Sequence, residues 1–248
     1  MGLLDSLFGD KPNQKSIDKL ILKVKEVYAQ PEYRREAMDK LLTFGTPEAL
    51  AGVLMRFTVV VQSPHWDEEE KRWLVDELAT RGEPAKQALT VFLGKDDHVA
   101  FAAKALRRLS PSAESWVADL VTALQRRPPD DHRTSQGKAE LINQLRDAEA
   151  KGVLPSIFPY LNDHADDVQM AGLDAVEKLH GHASDDDKTA AADALRAVIA
   201  DDTRSARVLR QAAGTMAVLK IAVDPTKPLV PAVAEDFVVT DGVLVSSR

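Results

Sequence analysis

The feature that most constrains this chain is a spacing. Apolar and small residues return at helical intervals, and one short pattern returns with them. Val99, Ala102, Ala103, Leu106 and Leu109 form one copy, and Leu209, Ala212, Ala213, Met216 and Leu219 form another. Looser copies stand at Ala37, Met38, Leu41, Phe44 and at Leu74, Val75, Leu78. Steps of three and four residues place such side chains on one helix face. A helix of this kind buries its face only against a neighbour, so the repeat predicts stacked helix pairs rather than a sheet. Aromatic residues make up 5% of the chain, which suits alanine- and leucine-rich helices.

Between copies the turn chemistry is explicit. In 44-FGTPEALAGVLMRF-57, Gly45 suits a left-handed helix end, Thr46 an N-cap and Pro47 a first helical position. The same grammar recurs at 82-GEPAKQALTVFL-93, 110-SPSAESWVADLVTAL-124 and 152-GVLPSIFPYL-161, each predicting a second apolar helix. The expected units are 31–60, 67–94, 97–126, 135–162, 164–200 and 202 to about 234, after a lead-in helix at about 16–29. The fold class is therefore all-α, with residues 16–234 forming an alpha-alpha superhelix of about six helix pairs.

The two ends differ from this body. Residues 1–15 form an amphipathic N-terminal segment with Leu3, Leu4, Leu7 and Phe8 on one face, either a cap on the first repeat or a docking segment. In the tail, 235–248, two Val-rich runs flank Asp241-Gly242, the signature of a type I′ β-hairpin. An isolated hairpin is marginal, so either the last helices cover it or a second chain adds to it as a homodimer.

The stretch 161-LNDHADDVQMAGLDAVEKLH-180 resembles the HEAT-like repeat of bacterial proteins, in Leu161, Asp163, Asp167, Val168, Ala171, Gly172 and Leu179. A second copy, 93-LGKDDHVAFAAKALRRLSP-111, matches in Asp97, Val99, Ala102, Ala103 and Leu106. The resemblance covers about residues 31–221 and implies a HEAT-like solenoid far more firmly than any activity. Deoxyhypusine hydroxylase, built on the same repeat, binds iron through His-Glu dipeptides, and no histidine here precedes a glutamate. HEAT-like DNA glycosylases use a basic surface with aromatic residues. Trp66, Trp73 and Trp116 with Arg107, Arg108, Arg126 and Arg127 provide only part of that, because Glu48, Glu114, Asp119 and Asp193 interrupt it.

Charge narrows the function further. The net charge is −7, and Asp163–Asp202 alone holds eleven acids against Lys178, Lys188 and Arg196. Such a chain is a poor general nucleic-acid binder. No cysteine is present, which removes thiolate chemistry and disulfides, and no run is apolar enough to span a bilayer. A cytoplasmic location is expected.

His164, His180 and His182 lie among Asp163, Asp166, Asp167, Asp185, Asp186 and Asp187, residue types that also ligate metals. The aspartates fall at two helix starts, where they cap or favour the positive end, and one helix separates His164 from His180. Neither a metal nor another cofactor is expected. The loop 126-RRPPDDHRTSQG-137 is a candidate contact loop or, more simply, a mobile linker, with Trp66 in 62-QSPHWDEEE-70 as a surface anchor. The expectation is a non-enzymatic scaffold or adaptor that docks a protein with a basic surface through Asp166, Asp167, Asp185, Asp186, Asp187 and Trp66. The alternative is a nucleic-acid-binding or damaged-base-processing protein on the same scaffold.

Overall fold

The computed structural model describes residues 13–247 and is mostly helical, with a small antiparallel hairpin near the C-terminus. The amphipathic segment expected over residues 1–15 lies almost wholly outside the described residues. The chain divides into two compact units, Met1–Pro111 and Ser112–Arg248.

In the first unit the helices are α1 (Gln14–Val24), α2 (Pro31–Phe44), α3 (Pro47–Leu54), α4 (Pro64–Ala79), α5 (Gly82–Leu93) and α6 (Ala100–Leu109). The α2/α3 boundary follows the local chemistry: Gly45 has φ +62°, the Thr46 side chain accepts from the Ala49 N–H, and Pro47 opens α3. Helix α1 stops at Val24, five residues short of the expected end. Its capping box, Asn13 with Ser16, fixes the start. The turn that follows points the Glu26 and Ala29 carbonyls at the Arg34 guanidinium, at 3.1 and 2.6 Å.

Leu41, Leu50, Leu54, Leu74, Leu78 and Leu89 are fully buried in this unit's core. Helix α3 packs on α1, α2 and α5, and α6 packs on α4 and α5. Gly52 is small for a reason: a Cβ there would lie 2.8 Å from Ile21 Cγ1 on α1. Overpacking costs about 1–3 kcal/mol and alanine's helix propensity returns at most about 1. Gly52→Ala should therefore lose about 1 kcal/mol in urea unfolding, and Ile21→Ala in the same chain should recover part of that loss.

A charged cluster sits inside the same unit. Glu70 accepts from Arg34 Nη2 at 2.7 Å and from Arg56 Nε at 2.7 Å. Asp67 accepts from Arg56 Nη2 at 2.8 Å and Lys71 Nζ at 2.7 Å. Burial disfavours the Asp67 carboxylate, but the donors Lys71, Arg56 and the Val61 N–H outweigh it and hold its pKa below the ordinary value. A depressed folded pKa adds stability above the unfolded value, and that stability is lost as pH falls through the folded one. The urea midpoint should thus drop on acidification below the carboxylate range, and the Asp67→Asn variant should start lower and respond less to pH.

The second unit contains α7 (Ala113–Gln125), α8 (Ser135–Asp147), α9 (Asp166–Leu179), α10 (Asp185–Ala200), α11 (Ala206–Val218), the short α12 (Pro231–Ala234), and strands β1 (Phe237–Thr240) and β2 (Val243–Ser246). Serine side chains cap α7, α10 and α11 at Ser112, Ser184 and Ser205. The second helix expected at 152–161 does not form as an α-helix. Leu154–Ser156 and Phe158–Asn162 are 3-10 turns instead, because Pro155 and Pro159 each lack an N–H for a continuous ladder. Residues 219–230 likewise form no helix, so α11 has no full-length partner within 202–234.

The repeat's small residues lie where helices meet. Ala212, Ala213 and Met216 are fully buried, and a Cβ on Gly172 would come within 2.9 Å of Leu161 Cδ2. The hairpin pairs Val239 with Leu244 and Val238 with Val245. Its turn residues Asp241 and Gly242 have φ +51° and +76°, as a type I′ turn needs. Leu244 is buried, β2 packs on α11, and the Val223 N–H donates to the Gly242 carbonyl at 2.8 Å. Helix α11 thus covers one hairpin face, while Val238 and Val245 stay exposed on the other.

Candidate functional site

Asp166 and Asp167 stand in the first turn of α9, and Asp185, Asp186 and Asp187 in the first turn of α10. Helix α9 has fourteen residues, so at 1.5 Å per residue about 20 Å separates its start from the turn leading to α10. The structure does not bring the two groups together. Asp167 is ion-paired with Arg207, Asp185 lies 3.5 Å from Lys188, and Asp186 is exposed.

Neither group caps with a carboxylate. The N-cap of α9 is Ala165 and makes no side-chain bond, and the cap of α10 is the Ser184 hydroxyl. At the far end of α9, burial, and next the Lys188 charge, lower the His180 pKa and favour its neutral form. Among the described residues no group of three or more histidines and carboxylates is placed to hold a metal ion. Among those residues also, no helix is long and apolar enough to cross a membrane.

Trp66 lies in the first turn of α4 rather than in a loop, because Ser63 caps this helix and Pro64 opens it. The indole is 45% exposed and packs against the His65 ring, centroids 5.3 Å apart. His65 also lines a shallow cleft of about 310 Å³ on α4, with Glu68, Glu69, Arg72, Trp73 and Asp76. Trp73 is half-buried there and stacks on the Arg35 guanidinium, whose Cζ is 3.2 Å from the ring centroid. Of the basic candidates, Arg108 is paired with Asp76. A larger apolar groove, about 680 Å³, runs between α3 and α5 past Ala51, Leu54, Met55, Ala88 and Val91.

The segment 126–137 makes specific internal contacts. It wraps around the ammonium of Lys138, which is fully buried. Lys138 Nζ donates to the carbonyls of Pro128, Pro129 and Asp131 at 3.3, 3.3 and 3.1 Å, and to the Asp163 carboxylate. Asp163 is 2% exposed, and its Oδ1 also accepts from the Ala165 N–H at 3.0 Å. Arg127, read from the sequence as a surface charge, is buried as well.

Beside this pair lie two rings and a hydroxyl. The His164 and His132 ring centroids are 3.6 Å apart, and Ser135 Oγ is 3.3 Å from His164 Nε2. Beneath them the Tyr160 hydroxyl donates to the Leu124 carbonyl at 2.6 Å. Burial first, then the neighbouring Asp163 charge, push the Tyr160 pKa up to about 12, so the phenol stays protonated. Lys138 and Ser135 escaped the sequence reading. The available signal was the Ser-x-x-Lys spacing at the start of a helix, 135-SQGK-138.

No protein-family model matches the chain. No curated protein matches it either. One solved structure, described as "Computational Design of Self-Assembling Cyclic Protein Homooligomers", aligns with 89% of this chain and 74% of its own at 14% identity. Its TM-score is 0.15, too slight a likeness to carry an argument.

Proposed function

We propose that the chain is an interaction scaffold of HEAT-like helix pairs wound as an alpha-alpha superhelix, which docks a cytoplasmic protein with a basic surface. The observation that carries this reading is the outer side of α4. Trp66, 45% exposed, packs against His65, which lines a cleft together with Glu68, Glu69 and Asp76. An exposed indole beside carboxylates suits a partner that offers apolar contact and cationic side chains. The exposed Asp186 and its neighbours Asp185 and Asp187 form a separate acidic point that adds to long-range attraction. Docking, rather than chemistry, is the role of these surfaces.

The test is a photo-cross-linker placed at position 66, followed by binding kinetics with the recovered protein. Trp66→Ala should weaken binding about tenfold or more, mainly through faster dissociation. Reversing Glu68 and Glu69 to lysine should slow association and flatten its salt dependence. Recovery of no basic protein, or unchanged kinetics in both variants, would overturn the reading.

A further inference from the structure

We propose that Ser135 is a nucleophile for acyl transfer, with His164 as its general base and Asp163 as the residue that positions the imidazole. This inference is independent of the docking surface on α4. The contacts of His164 fix its tautomer. Nδ1 lies 3.1 Å from the Pro129 carbonyl oxygen and 3.1 Å from Asp163 Oδ1. Both partners are acceptors, so Nδ1 carries the ring proton. Nε2 therefore presents its lone pair, and it faces Ser135 Oγ at 3.3 Å. Nε2 is placed to accept from the hydroxyl, the direction needed for a base to take its proton. A second acceptor, the His132 carbonyl, is slightly farther from Oγ, at 3.4 Å.

The supporting residues hold this arrangement still. Asp163 is buried and fixed through both oxygens, by Lys138 on one and by the Ala165 N–H and His164 on the other. Lys138 stands one turn after Ser135 but is not the base. Its ammonium already donates to three carbonyls and a carboxylate and makes no bond to the serine. The His132 ring lies against that of His164 and limits how far the imidazole can turn.

Ser135 is the first residue of α8, a helix of thirteen residues with no side-chain cap, so the positive end of the helix adjoins the hydroxyl. Next to it, Thr134 Oγ1 is buried with no hydrogen-bond partner among the described residues, and the residue is 8% exposed. A buried hydroxyl left unpaired is costly and gains a partner if an oxygen-bearing group sits beside Ser135.

The chemistry these groups support is hydrolysis of a carboxylic ester. Ser135 Oγ forms a bond to the carbonyl carbon while its proton moves to His164 Nε2. The tetrahedral adduct then breaks the bond to the alcohol, which leaves with the proton from Nε2. Water, deprotonated by the same nitrogen, attacks the acyl-serine and releases the acid and the free hydroxyl. Ser135 is half-buried at a helix start, and the substrate class proposed for it is an ester of a small acyl group.

The experiment treats the intact chain with p-nitrophenyl acetate and, separately, with a fluorophosphonate, and maps adducts by peptide mass spectrometry. The expected result is an adduct on Ser135 and an ester rate that Ser135→Ala removes. His164→Gln should lower that rate by about 10²–10⁴-fold. Both side chains are near the surface, and circular dichroism should confirm that the two variants fold. A fluorophosphonate that leaves Ser135 unmodified, or an ester rate in Ser135→Ala equal to that of the parent, would overturn the proposal.

Discussion

Replacing Glu70 by alanine should cost the first unit about 3–5 kcal/mol, the range for breaking a buried ion pair from one side. The reason is what remains. Arg34 and Arg56 are 2% and 0% exposed, and Glu70 is the carboxylate they share. Without it, Arg34 keeps only the Glu26 and Ala29 carbonyls, while Arg56 keeps Asp67 and the Val59 carbonyl. Two guanidinium groups then sit in a low-dielectric interior with one carboxylate between them and Lys71. Glu70→Gln, which retains an acceptor oxygen, should lose less. Trp66 and Trp73 belong to this unit and Trp116 to the other, so Trp116→Phe lets denaturant unfolding followed by fluorescence report on the first unit alone. A Glu70→Ala midpoint within error of the parent's would refute the assignment.

Lys138→Met should be about as damaging, again about 3–5 kcal/mol, but in the second unit. Methionine fills similar volume and leaves the Asp163 carboxylate, at 2% exposure, without its cation. It also strands the carbonyls of Pro128, Pro129 and Asp131, which converge on the ammonium. Lys138→Met with Asp163→Leu should recover part of the loss and not all of it. The Ala165 N–H would lose its acceptor, and the three carbonyls would still lack a donor. A double-mutant cycle measured by chemical denaturation gives the coupling directly, and strict additivity would show that the pair is not a unit.

Much of the helical layout could be read from local signals. Gly45, Thr46 and Pro47 each took the role their type suggests, and Asp241-Gly242 supplied the positive φ values of the hairpin turn. These are short-range effects, set by sterics and by hydrogen bonds over three or four residues. The repeat's small residues, Ala102, Ala103, Ala212 and Ala213, were likewise legible as core. The helix expected over 152–161 fails because Pro155 and Pro159, four residues apart, interrupt two successive turns.

The buried ions were not legible for a different reason. Arg34 meets Glu70 across 36 positions and Lys138 meets Asp163 across 25, and composition gives no weight to one long-range pairing over another. An arginine or lysine on a helix reads as a solvated face until its partner is known. The candidate nucleophile was hidden in the same way. Ser135 and His164 are 29 residues apart, and the packing of α8 on α9, together with the wrapping of 126–138 around Lys138, joins them.

That wrapping also bears on how the chain meets a protease. With Arg126, Arg127, Arg133 and Lys138, the connection between α7 and α8 looks on paper like a place where trypsin would cut first. Arg127 and Lys138 are buried, however, and the carbonyls that a protease would need to draw into an extended strand are turned inward around the ammonium. Cleavage after the exposed Arg133 requires that this local structure open, so its rate follows the opening free energy of the loop. Nicking at that one bond, followed over time, thus measures how firmly Lys138 is seated without unfolding the rest of the molecule.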